Sequence, residues 1–385
     1  MVEIMIKPIK KIIKSIVLIY QVITVNIFYY LLYVFFIFID KNKKQRKVTI
    51  GLTEMARVIY YLGRVISSRY IVNLDRHRFY KDKYDFGPYP KIMQIIIGPF
   101  LLAYLSHISE IFIYIWDNGY LLNRKWDFVF LKKKNKKIIS LFVGSDIRSL
   151  KKTKEYFASI NIDTYVNYLT DTDNLENENR LKKLAELTEK YSDIIFNWKY
   201  DQISYLEKKT IPWPYMIDTE KHKFNFKMPK DMSEIRIIHA PSNPMIKGTP
   251  LVRAAIKKLQ MGNYKFKYIE VINIPNHLLL NELENAHIVL QEFYCITPGI
   301  LGIEAMAAGN AVLMSANLDL NPELPEDSKK AWLVTNYWEI YDNLKYLLDY
   351  PDFISKYAYS GREFIENHYS LGKVSEFYNT ILNDM

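Results

Sequence analysis

The segment from Pro298 to Leu313, Pro-Gly-Ile-Leu-Gly-Ile-Glu-Ala-Met-Ala-Ala-Gly-Asn-Ala-Val-Leu, constrains the fold more than any other stretch of the chain. It reads as a Gly-containing loop, a short helix, a Gly stop and a strand. Ile303, Ala307 and Ala308 then fall where a helix packs on a sheet. Glu304 is left as a carboxylate near the start of an otherwise apolar helix. Such a start offers free backbone N–H groups and a positive dipole end to a phosphate. An acid beside it can accept hydrogen bonds from a ribose. An ordinary αβ unit with a favourably placed acid fits the same residues.

A second segment repeats the pattern. Ile235 to Ala240 is a buried-strand run, followed by Pro241-Ser242-Asn243-Pro244-Met245-Ile246-Lys247-Gly248-Thr249 and a helical pattern through Leu259. A Lys at such a turn can pair with a diphosphate as a compact point charge. Together the two segments resemble the C-terminal domain of the family-4 glycosyltransferases of the GT-B fold. Lys247, Gly248, Gly299, Glu304, Ala305, Met306, Ala307 and Gly309 fit that family's Lys-Gly loop and its Gly-x-x-x-x-Glu-Ala-Met-Ala-x-Gly helix. Gly144-Ser145-Asp146-Ile147-Arg148 matches a further piece found in one subgroup. Ile296 stands where the family commonly has a second Glu, and Pro244 where some relatives have Arg. The resemblance covers 235–315 densely, 48–234 in patches, and leaves out the first 47 residues.

At 385 residues the chain exceeds one typical domain. Its net charge of +10 suits an anionic partner: a phosphate-bearing substrate or an acidic membrane face. Nucleic acid is not expected, because zinc-finger spacing, an RNP-type strand and a convincing helix-turn-helix are all missing. Cys295, the one cysteine, excludes an intrachain disulfide and a Cys-based structural zinc site, and fits a reducing compartment. Ser15 to Ile39 is 25 residues without a charge, long enough to span a bilayer as a helix. Lys7, Lys10, Lys11 and Lys14 precede it; Lys41, Lys43, Lys44, Arg46 and Lys47 follow. Gln21, Thr24 and Asn26 weaken a span, and a helix lying in the interface is the alternative.

Strands alternate with helices through the rest. The expected strands are Lys47–Leu52, Tyr70–Leu74, Ile111–Ile115, Ile138–Val143 and Asp193–Phe196 in a first unit. In a second they are Ile235–Ala240, Lys265–Val271, Ile288–Leu290, Ala311–Met314 and Trp332–Thr335. Expected helices include Glu54–Ile66, with Thr53 as cap, and Tyr120–Phe130. This pattern implies parallel, doubly wound sheets. The fold class is therefore α/β, and the resemblance implies the GT-B arrangement: two Rossmann-like doubly wound domains facing a cleft, plus an N-terminal hydrophobic helix. The boundaries are 1–47 for a membrane-anchoring segment, 48–218 for an acceptor-side domain, 219–233 for a linker, 234–350 for a nucleotide-sugar domain and 351–385 for closing helices. The resemblance implies that the last of these crosses back to the N-terminal domain.

Ligands of such sheets sit beyond the carboxyl ends of the strands. Gly144 to Arg148 lies at such an end; the run Lys132-Lys133-Lys134-Asn135-Lys136-Lys137 lies at the opposite one and reads as a solvated loop or a lipid contact. Asp171-Thr172-Asp173 matches an Asp-x-Asp metal signature, but helix capping accounts for it better. No metal or other cofactor is expected. His239 ends a strand on the cleft side, either buried and bonded or touching ligand.

The resemblance implies a nucleoside-diphosphate sugar donor held by Ser242, Asn243, Lys247, Gly248, Thr297, Gly299 and Glu304. Lys247, Glu304 and Asp146 are the catalytic candidates. Ser145, Asp146 and Arg148 are the acceptor-side candidates. It also implies transfer with retention. The apolar N-terminus suggests a lipid-linked or membrane-proximal saccharide acceptor and contact of residues 1–47 with the membrane; the resemblance, through a donor made in the cytosol, implies a place on the cytoplasmic face of the cell membrane. The other readings are a non-catalytic membrane scaffold and another GT-B enzyme such as a sugar-nucleotide epimerase.

Overall fold

The computed structural model describes residues 2–39, 48–75, 82–169, 175–224, 226, 228–272 and 274–385, with the side chains of its first helix from 10 to 35. The basic residues from Lys41 to Lys47, the Asp171–Asp173 motif and Lys227 lie outside the described residues.

Two five-stranded, all-parallel sheets form the body. The first contains β1 (Val48–Leu52), β2 (Arg69–Ile71), β3 (Ile111–Ile115), β4 (Lys137–Leu141) and β5 (Ile194–Phe196), in the order β2-β1-β3-β4-β5. The second contains β6 (Arg236–His239), β7 (Lys267–Glu270), β8 (Ile288–Leu290), β9 (Ala311–Met314) and β10 (Leu333–Val334), in the order β10-β9-β8-β6-β7. The two orders are the same doubly wound topology. Each reverses direction once, between β1 and β3 and between β6 and β8, and such a switch opens a crevice at the carboxyl ends. The β1, β3 and β9 strands are buried along their whole length, as continuous apolar runs in parallel sheets require.

Helices cover the faces. The N-terminal unit has α1 (Val2–Ile39), α2 (Val58–Val65), α3 (Lys91–Ile108), α4 (Arg124–Lys133), α5 (Leu150–Ser159) and α6 (Leu175–Tyr191). The C-terminal unit has α7 (Thr249–Met261), α8 (Asn276–Leu283), α9 (Ile300–Ala308), α10 (Ser328–Ala331) and α11 (Ile340–Asp349). Two more helices, α12 (Asp352–His368) and α13 (Leu371–Asn383), close the chain. The α9 helix stops at Gly309, whose φ of 89° ends it in the left-handed region. By length and composition, α1 over Lys10–Phe35 and α3 are apolar enough to cross a membrane.

Two helices begin later than their apolar pattern suggests. The first was expected from Glu54, but Ala56 and Arg57 are left-handed (φ 51° and 62°), so α2 starts at Val58. Glu54, not Thr53, satisfies its start. Its carboxylate accepts from the N–H groups of Ile59 (3.1 Å) and Tyr60 (3.0 Å). Thr53 instead bonds Asp75 and Asn118. The second was expected from Tyr120. The Asp127 carboxylate holds the amides of Tyr120 (2.6 Å) and Leu121 (3.0 Å) outside the helix, and Asn123 caps α4.

The units meet through α13 and the linker. Ser375 in α13 donates to the carbonyl of Val65 at the end of α2 (2.7 Å), and Tyr378 packs edge-on against Phe196. Tyr378 is fully buried and its hydroxyl has no hydrogen-bond partner among the described residues. Its ring therefore stabilises the fold and its oxygen does not. Tyr378→Phe is expected to leave stability unchanged or raise it, while Tyr378→Ala should cost about 3–5 kcal/mol, the usual range for truncating a buried aromatic. Urea unfolding of both variants checks this.

Candidate active site in the interdomain cleft

The carboxyl ends of both sheets open onto one cleft. A cavity of about 350 Å³ there is walled by Met55 and Ala56 after β1, Arg148 after β4, Trp198 and Asp201 after β5, Ser242, Asn243 and Lys247 after β6, and Glu292 after β8. That is within the range that holds a small organic ligand. An adjoining space of about 140 Å³ contains Glu304, Arg57, Asn276 and His222. The two spaces share Ala56, Trp213, Tyr215 and Ile300.

Lys247 sits in the loop between β6 and α7. Its amide bonds the carbonyl of Asn243 (3.1 Å), and the Asn243 side chain accepts from the amide of Met245 (3.1 Å), so the loop is tied by its own polar groups. Behind it, His239 is buried: Nδ1 donates to the Leu290 carbonyl (2.7 Å), and Nε2 accepts from Thr249 Oγ1 (2.8 Å). His239 thus fastens β6 to β8 and to the start of α7, and it does not reach the cavity. Burial lowers the Lys247 pKa. Its ammonium pairs with Glu292, itself nearly buried. Across the cavity Arg148 pairs with Asp201, donating from Nη2 to the carboxylate (2.8 Å) and from Nε to the carbonyl (2.7 Å).

The α9 helix opens into the same space through Gly299 and Ile300. Gly299 packs closely on its neighbours: a Cβ there would stand 2.3 Å from Gln291 Nε2 and 3.3 Å from Glu292 Oε1, so those side-chain ends would have to shift. The Tyr215 hydroxyl donates to the Pro298 carbonyl, fixing the turn before the helix. At the far end, Arg362 of α12 donates to the Ala307 carbonyl (2.6 Å) and to the linker carbonyls of His222 and Thr219. Glu304 faces Asn276, which donates to it at 3.3 Å. Burial pushes the Glu304 carboxyl up to about 6, against lesser lowering by Asn276 and Arg57.

Of the residues singled out in the sequence, Ser242, Asn243, Lys247, Gly299 and Arg148 line the larger space and Glu304 the smaller. The others are placed differently. Asp146 is buried, and its carboxylate accepts from the amides of Gly144 (2.7 Å) and Val143 (3.2 Å), which ties the loop after β4. Burial pushes it up to about 6. Ser145 is exposed and outside both spaces. Thr297 turns inward, accepting from Asn321 (3.1 Å), and Gly248 is buried at the start of α7. Ile296 is buried.

Glu292, Asp201 and the aromatic residues Trp198, Trp213 and Tyr215 carry no motif. Position was the available signal for the first two: each follows a strand at its carboxyl end. Among the described residues there is no group of three or more His, Cys, Asp or Glu able to hold a metal.

A third cavity, of about 370 Å³, lies where α1 and α3 meet the loops after β2 and β3. Gln21, Asp75, Gln94, Asp117, Asn118 and Arg124 line it. The loop from Thr53 to Arg57 stands between it and the cleft. Thr53 bonds Asp75 and Asn118 on one side, and Met55 and Ala56 wall the cleft on the other.

The raised Glu304 carboxyl sets a pH dependence. The folded chain holds this proton to about 6, against 4.5 for the free group, so ionising it costs stability as pH rises through that window. Glu304→Gln is expected to match the wild type below about pH 4.5 and to be the more stable above about pH 6. Thermal unfolding of both across this range, without ligand, is the check.

No protein-family model matches the chain, and no curated protein matches it by sequence. Solved structures do match in fold. HepE from Anabaena, in complex with UDP-glucose, is 10% identical, with a TM-score of 0.55 over 89% of this chain and 100% of that one. The same protein in complex with UDP gives 9% and 0.55 over 88% and 100%. Sucrose-phosphate synthase from Thermosynechococcus elongatus gives 12% and 0.50 over 88% and 99%. At these identities the likeness is one of fold: two Rossmann-like domains facing a cleft, the GT-B architecture, preceded here by a long apolar helix.

Proposed function

We propose that the chain is a glycosyltransferase that moves a sugar from a nucleoside-diphosphate sugar to a lipid-linked or membrane-proximal saccharide acceptor, with retention, in the assembly of a surface polysaccharide or glycolipid. One observation carries the reading: Lys247, the start of α9 and Glu304 converge on the cleft between the domains. HepE, which shares the fold, was solved with UDP-glucose. The apolar α1 and the adjacent α3 support a membrane-proximal acceptor, and a donor made in the cytosol would place the cleft at the cytoplasmic face.

In this reading the larger space takes the diphosphate and sugar, and the smaller takes the nucleoside. Glu304, ionised above about pH 6, accepts hydrogen bonds from the ribose hydroxyls. Lys247 and the N–H groups at the start of α9 hold the diphosphate. As the bond from the anomeric carbon to the diphosphate oxygen breaks, negative charge grows on that oxygen and positive charge on the sugar ring. Lys247 and the helix start stabilise the leaving diphosphate, which is electrostatic catalysis by fixed groups. The acceptor hydroxyl attacks the anomeric carbon, and its proton passes to the leaving phosphate. Glu292 supplies the carboxylate that Ile296 does not. It stands beside Lys247, in position to contact the transferred sugar or the positive charge of the transition state.

A panel of nucleoside diphosphates tests the donor site by thermal stabilisation. A ligand at one hundred times its dissociation constant should add about 2.7 kcal/mol. One nucleotide is expected to stabilise the wild type, with the effect lost in Lys247→Ala and Glu304→Ala. No stabilisation by any nucleotide, in folded protein, would overturn the assignment and favour a non-catalytic scaffold. Glu292→Gln separates binding from chemistry. It should keep most of the nucleotide-induced shift and lower the rate of donor turnover by about 10²-fold or more, the scale for losing one electrostatic group.

A further inference from the structure

The α1 helix is clasped to the N-terminal domain. Gln21 Nε2 donates to the Ile95 carbonyl (2.8 Å), and Gln21 Oε1 accepts from the Leu122 amide (2.9 Å). Phe28 meets Phe100 edge-on at 4.5 Å, and Tyr29 stacks on His107 at 4.1 Å. His107 Nε2 donates to the Tyr29 carbonyl (2.9 Å). These contacts advance together along both helices, so α1 and α3 run side by side in the same direction. Lys134 joins them from the end of α4, with its ammonium 3.9 Å from the Tyr29 ring and 4.4 Å from Tyr30. Val25 is buried beneath the pair.

The outer face of α1 is apolar. Ile12, Ile16, Ile19, Ile23, Ile27, Leu31 and Val34 follow a three- and four-residue spacing, and each is more than half exposed. Ile92, Met93 and Ile96 of α3 are exposed beside them. Lys10, Lys11 and Lys14 stand exposed at one end. A stripe of this length on two adjacent helices is far more apolar surface than a water-facing protein leaves open.

While clasped, α1 is unable to cross a bilayer. A hydrocarbon core takes about 20 helical residues. The Leu122 amide and the Lys134 ammonium touch residues 21 and 29–30, within the uncharged segment. A span through that segment would bring the loop after β3 and a charged lysine into hydrocarbon, where both are strongly disfavoured. The exposed side of α1, not its length, is what fits lipid.

We propose that α1 and α3 form a two-helix plate that lies in one leaflet of an anionic bilayer, parallel to its surface, without crossing it. The isoleucine stripe enters the acyl boundary, and Lys10, Lys11 and Lys14 reach the anionic headgroups. The charge of the chain, +10, has the sign this surface requires. The proposal deepens the membrane placement of the reading above but uses no residue of the cleft, so it fails or stands independently of nucleotide binding.

Depth measurement tests it. Nitroxide labels are placed on Ile16→Cys, Ile19→Cys, Ile23→Cys, Ile27→Cys and Leu31→Cys, each in a full-length Cys295→Ser chain bound to vesicles of phosphatidylcholine and phosphatidylglycerol. A helix lying flat gives nearly the same depth at every label. A depth that rises to the bilayer centre and falls again would show a span and overturn the proposal. Flotation of the otherwise unaltered chain on the same vesicles is the companion measurement. Replacing Lys10, Lys11 and Lys14 by Gln should weaken vesicle binding about fivefold per lysine at low salt, with unfolding unchanged. Failure to float, with a doubled mass in solution, would assign the face to a second copy of the chain instead.

Discussion

The two domains are joined through a packed aromatic cluster. Trp198 donates its indole N–H to the Trp213 carbonyl (2.8 Å), and Trp213 donates its own to the Phe142 carbonyl (2.8 Å). Tyr215 stacks on Trp198 at 5.9 Å, meets Tyr369 at 5.3 Å and donates to the Pro298 carbonyl. Trp198, Trp213 and Tyr215 thus form the floor of the cleft. That floor sets the turn before α9 and, with it, the direction in which Gly299 and Glu304 face. Arg362 fixes the other end of the same helix.

The cleft concentrates charge without leaving it bare. Lys247 has Glu292, and Arg148 has Asp201. Removing such groups from water is costly, and partners offset that cost only when the geometry is held. The holding is visible: Asn243 ties the loop of Lys247, and Asp146 ties the loop that carries Arg148. Asp146 therefore acts through the backbone, as positioning for its neighbour.

Much of this was legible in the sequence. Ile111–Ile115, Ile288–Leu290 and Ala311–Met314 became strands with the bounds their apolar runs gave, because fully buried parallel strands admit little else. The position of Lys247 and Glu304 beside the cleft was legible because strand–loop–helix units turn at the carboxyl ends of the strands. What stayed hidden depended on tertiary contact. Nothing local marks Ala56 and Arg57 as left-handed, and that pair delays α2. Asp127 pulls Tyr120 out of a helix from seven residues away. Thr297 faces Asn321 rather than the cavity, which a chain-local pattern does not encode. Glu292 lacks a motif because its partner Lys247 is met in space, far along the chain.

The aromatic floor has one further consequence. Trp198 and Trp213 are two of the six tryptophans in the chain, and both border the cavity while their indole N–H groups are bound to backbone carbonyls. Their rings are thereby held at fixed orientation beside the cavity. The cleft carries built-in fluorophores, and its occupancy can be followed by intrinsic emission in the unlabelled protein.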